Sequence, residues 1–227
     1  MLRPAVAVAV LSVAAAPLHA QDLVALCKQF AHPPVGAWSA YRFTGGNEDG
    51  ATMKISVVGT ESHGDTAYLW IEMAMAGITG PGGQKMAAVS KILTAGFGPG
   101  MEHPRAMIMK FGTMPAMTMP MDGPMAHAGA GQTGLEKCAQ SKSLGFESVT
   151  VPAGTFRALH VQDADGKGDL WVVPGMALGL VKAHNETQGD LVLTDHGTGA
   201  KTAITEAPQP FNPAMMMQMM GGGRTTH

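Results

Sequence analysis

The chain has 227 residues, with 15 Lys and Arg against 17 Asp and Glu, and only 5% of its residues are aromatic. A chain of this length, less a leader, makes one domain or one domain with a tail. The near-neutral charge, with no basic block and no interleaving of basic and aromatic residues, argues against nucleic-acid binding. The scarcity of rings leaves the core to Val, Leu, Ile, Ala and Met.

Residues 1–20 read as a secretory signal: Arg3 gives the positive start, Pro4 to Leu18 is apolar, and His19-Ala20 precedes a cut ahead of Gln21. As a membrane anchor the run is shorter than the about 20 residues a span needs. No later segment is apolar enough to span, so the chain is expected in the periplasm of a Gram-negative envelope, not crossing the membrane. Lipidation at Cys27 is rejected, because Leu26 is too large before a lipidated cysteine and Asp22 interrupts the apolar region. In an oxidising compartment Cys27 and Cys138 are expected to form a disulfide; the alternative is two free thiols acting as soft ligands.

Residues 22–31 predict one short helix, with Leu23, Leu26, Cys27 and Phe30 at helical spacing, Asp22 as cap and Pro33-Pro34 as its end. The pattern then turns strand-like. Strands are predicted at 38–43, 52–60, 67–76, 85–93 (with a short helix as the alternative there), 105–111, 145–151, 155–163, 168–173, 179–185, 190–196 and 200–205, most of them joined by short Gly-, Pro- and Asn-rich turns. Met53, Ile55 and Val57 alternate with Lys54, Ser56 and Val58, which gives the second strand one buried face. Such a series predicts a mainly β fold, a meandering antiparallel sheet over residues 21–206. Residues 207–227, rich in Met and Gly, read as a flexible tail.

Between Met101 and Met125 lie eight methionines, broken by Pro104, Pro115, Pro120 and Pro124. The prolines disfavour a helix or a central strand. The run is therefore expected on a loop or edge, as a flap over about 112–134. Two chemistries compete. Thioethers make a pliable apolar surface, in which Met114, Met117, Met119, Met121 and Met125 would bind ligand. They are also soft ligands for Cu(I), in which Met117, Met119 and Met121 would join His103 and His127.

Residues 144–206 carry a series of motifs: LGFESVTVPAGTF from Leu144, DLWVVP from Asp169, GLVK from Gly179 and LVLTDHG from Leu191. The series resembles uncharacterised exported bacterial proteins related to the outer-membrane lipoprotein-sorting and lipoprotein-carrier fold. That resemblance implies a curved antiparallel sheet, an open half-barrel, that shields an apolar ligand on its concave face. Pro152 and Gly154 also fit a hairpin turn on their own chemistry, which lets Phe156, Ala158 and His160 share the apolar side.

No catalytic constellation is present: there is no Gly-x-Ser-x-Gly, no His-Glu-x-x-His and no phosphate-cradling loop. Asp163 to Asp169 opens like a calcium loop, but Lys167 and Pro174 stand where oxygen ligands are needed, so a polar hairpin turn is expected. The chain is thus read as a non-enzymatic binding protein with no cofactor, for a lipid, an acyl chain or an apolar partner segment of a lipoprotein or envelope protein. The alternative is a copper-binding protein.

Overall fold

The computed structural model describes residues 32–96, 104–121 and 141–214. The expected signal, the expected helix at 22–31, Cys27, Cys138, His103, Met125, His127 and the last residues of the expected tail lie outside the described residues. What is described is one large, curved, antiparallel sheet that does not close.

Its strands are β1 (Trp38–Thr44), β2 (Thr52–His63), β3 (Thr66–Thr79), β4 (Lys85–Thr94), β5 (Ala106–Phe111), β6 (Met117–Met119), β7 (Lys142–Val151), β8 (Gly154–Gln162), β9 (Gly168–Val172), β10 (Leu180–Asn185), β11 (Gly189–Gly197) and β12 (Gln209–Pro210). The spatial order is β12-β6-β5-β4-β3-β2-β1-β11-β10-β9-β8-β7. Two meanders, β1 to β6 and β7 to β11, are therefore joined where β1 pairs antiparallel with β11. Only the β12–β6 pair is parallel among the described pairings. Short turns hold each meander together. In the VPAGTF hairpin, Val151 pairs with Gly154 across Pro152-Ala153. The Asp163–Gly168 segment is a hairpin turn too: Asp163 N–H donates to Gly168 O at 2.8 Å and Gly166 N–H to Asp163 O at 2.9 Å.

Residues 200–205, expected as a strand, form none. They belong to a strap across the back of the sheet, whose polar groups bond to side chains and to isolated carbonyls, such as Gly36 O at 2.9 Å from Ala200 N–H, instead of a ladder. Trp38 Nε1 donates to Thr198 O at 3.2 Å. Ala203 N–H donates to Glu72 Oε1 at 2.9 Å, and Thr202 Oγ1 to Glu72 Oε2 at 2.5 Å. Lys110 Nζ meets Glu206 Oε1 at 2.5 Å, which holds the Glu206 carboxyl below the usual carboxylate range. Glu72 is only 4% exposed, so this back face is covered where the strap crosses β3. The strap ends where Gln209 N–H donates to Ala116 O at 2.8 Å, and the start of the expected tail runs beside β6.

The opposite face is apolar. Its centre is Tyr41, Met53, Val151, Val181 and Leu193, with Val149, Ala153 and Phe156 at the β7–β8 tip packed against them. Ala153 N–H donates to Leu193 O at 3.2 Å, which fixes that tip over β11. Burial pushes the Tyr41 hydroxyl up to about 12, against a smaller opposing effect of Ser39; the hydroxyl donates to Leu180 O at 3.1 Å.

Candidate functional site: a methionine-lined sheet face

Directly opposed residues of an antiparallel pair share a face, as do positions i and i+2 of one strand. The registers therefore place Met53, Ile55 and Val57 of β2 beside Met75, Met73 and Ile71 of β3. Next come Ala88, Ser90 and Ile92 of β4, then Phe111, Met109 and Met107 of β5. Met117 and Met119 of β6 follow, opposite Met109 and Met107. This is one continuous surface, five strands wide and nearly free of polar groups. On the other face the same strands carry Lys54, Glu72, Lys91 and Lys110.

Burial along the apolar face is uneven. Ile55, Met73, Met75, Ala88, Ser90, Ile92, Met109 and Phe111 are half-buried, whereas Met107, Met117 and Met119 are buried, at 6%, 0% and 4% exposure. The methionine run thus divides. Met114 is half-buried in the turn after β5, its N–H donating to Phe111 O at 2.9 Å. Met117 and Met119 are part of the sheet in β6, not a cover lying over it, and Met121 is half-buried beyond the strand. The prolines permit this because β6 is only three residues long and lies one strand from the sheet edge. Met107 and Met109 escaped the sequence reading as site residues. The signal for them was the Met-x-Met spacing inside the predicted 105–111 strand, matched by Met-x-Met at 117–119.

A second grouping was also missed. On the polar face of the C-terminal meander, His160 stacks on Trp171 with centroids 4.4 Å apart. Its Nε2 lies 2.8 Å from Asp169 Oδ1 and its Nδ1 3.3 Å from Glu147 Oε1. Trp171 Nε1 donates to Glu147, and Lys182 Nζ sits 5.0 Å over the Trp171 ring. Asp190 meets Lys182 at 3.0 Å and His184 at 2.5 Å. Burial raises the Asp190 carboxyl, but the hydrogen bonds and charges of His184 and Lys182 outweigh it and hold the group below the usual carboxylate range. His160 therefore faces this lattice and not the apolar side. Phe156, of the same strand parity, does reach the apolar cluster, because the β7–β8 tip curls over it. Each carboxylate in the lattice is matched by a cation, an imidazole or an indole N–H, an arrangement suited to holding strands together.

Among the described residues no helix is long and apolar enough to cross a membrane. No family model and no curated protein matches the chain. Solved structures do. A candidate lipoprotein from Parabacteroides distasonis is 14% identical with a TM-score of 0.35, over 74% of this chain and 98% of that one. A candidate exported protein with a YmcC-like fold from Bacteroides fragilis is 14% identical with a TM-score of 0.34, over 74% and 99%. MucB is 13% identical with a TM-score of 0.40; the match covers 81% of this chain and 61% of MucB.

Proposed function

We propose that the chain is a non-enzymatic binding protein of the bacterial envelope, exported to the periplasm, whose sheet receives an apolar chain such as a lipid acyl group. The observation that carries this reading is the difference between the two faces of β2 to β5. One carries charges and is strapped by residues 198–206; the other is apolar and half-buried from Ile55 to Phe111. A half-buried apolar surface gains about 25 cal/mol for each Å² a ligand removes from water. Methionine side chains adapt to ligands of differing shape. The signal-like residues 1–20 support the location.

The test is native mass spectrometry of protein purified from its own periplasm, followed by lipid extraction and titration with an apolar fluorescent probe. A co-purifying lipid, or saturable probe binding weakened about tenfold by Phe111→Glu, is the expected result. Finding neither lipid nor probe binding overturns the proposal.

A further inference from the structure

The registers bring together four methionines from two segments of the chain. Met107 stands opposite Met119, and Met109 opposite Met117. Opposed Cβ atoms of an antiparallel pair lie about 4.5–5.5 Å apart, and successive same-face positions about 7 Å apart along the strand. The four side chains therefore rise from the corners of a small rectangle. Each ends in a thioether on a flexible arm with three rotatable bonds, long enough to bring the sulfurs to a point above its centre.

We propose that Met107, Met109, Met117 and Met119 form a thioether site for one Cu(I) ion. Thioether sulfur is a soft, neutral donor, and it favours Cu(I) over Zn(II) and the harder cations. Three of the four side chains are buried, which shields a bound ion from water. Met109 is only half-buried and gives the route by which a copper ion is passed in or out by ligand exchange. Among the described residues no group of three or more His, Cys, Asp or Glu side chains is placed to hold a metal ion. The quartet differs from the set of Met117, Met119, Met121, His103 and His127 expected from the sequence: it takes two donors from β5 and leaves out Met121 and both histidines.

The experiment titrates the full mature chain with Cu(I) under anaerobic reducing conditions against a chromophoric Cu(I) chelator, and records X-ray absorption of the loaded protein. One equivalent in a sulfur-only first shell is expected. Met107→Leu with Met109→Leu keeps side-chain bulk and is expected to weaken Cu(I) binding about tenfold or more, while Met121→Leu leaves it unchanged. Urea unfolding of each variant separates lost ligands from lost fold. If a variant unfolds, the absorption spectrum of the unaltered protein decides the matter. A shell containing nitrogen or oxygen, no Cu(I) binding, or full affinity in the folded double variant overturns the site. Apolar-probe binding measured on the same variants reports separately on the acyl-chain reading, so either assignment can fail without the other.

Discussion

At the scale of single residues, Tyr41 offers the sharpest test of the core. Its hydroxyl is pushed from 10.0 to about 12, chiefly by burial. The folded state therefore keeps a proton that the unfolded chain gives up. Stability from this group is fully present below pH 10 and is lost as pH rises towards 12, by about 2–3 kcal/mol in all. Urea midpoints measured from pH 9 to 12 should fall accordingly, and Tyr41→Phe should remove that part of the slope. Asp190 behaves in the opposite sense. Its carboxyl is held below the ordinary value by His184 and Lys182, so its contribution is present above the ordinary carboxylate range and is lost as pH falls through its depressed value. Asp190→Asn should flatten the acid side of the stability profile in the same urea series. Tyr41 was legible in the sequence only as a member of a strand. Its burial depends on Leu180, 139 residues further along, and on Leu193 beyond it, which no local pattern connects to it.

Among the elements, the strap is the one that sequence periodicity misassigned. Residues 200–205 have the composition of a strand, but their polar groups are committed to Gly36 O, to Glu72 and to a local turn in which Ile204 N–H donates to Thr202 Oγ1 at 3.2 Å. Glu72→Ala removes the acceptor for a backbone N–H and a hydroxyl, and should cost about 1–3 kcal/mol in urea unfolding. Amide exchange at 202–204 should speed up with it. The β10–β11 turn makes a separate demand. Gly189 has φ +82°, and a Cβ there would lie 2.5 Å from Thr44 O, so Gly189→Ala should destabilise by about 1–3 kcal/mol on the same assay. Ten strands were legible because each alternates or is bracketed by Gly, Pro or Asn. β6 and β12 were not. Three and two residues are too few to show a period, and their pairing is fixed by β5 and by the strap. Met117 and Met119 were legible as chemistry, but their partners in the same methionine run, Met109 and Met107, lie in a strand read only as structure.

For the whole molecule, the joining of β1 to β11 has a consequence for how fast the sheet is made. Each meander can assemble from neighbouring hairpins, whose closure needs only short loops. The seam is different: Trp38 must find Gly197 and Thr44 must find Asp190, across most of the chain. Contacts so remote in sequence are the slow ones, because the entropy of closing the loop is lost before the pairing compensates for it. Pairing at the seam is therefore expected to limit the folding rate, and in stopped-flow refolding Leu193→Ala should slow the reaction more than a substitution inside the β2–β3 hairpin. A chain still missing its last strands holds two half-sheets with β1 unpaired on one side. For a chain exported as proposed above, that delay keeps it threadable until its final residues have passed through a translocation pore.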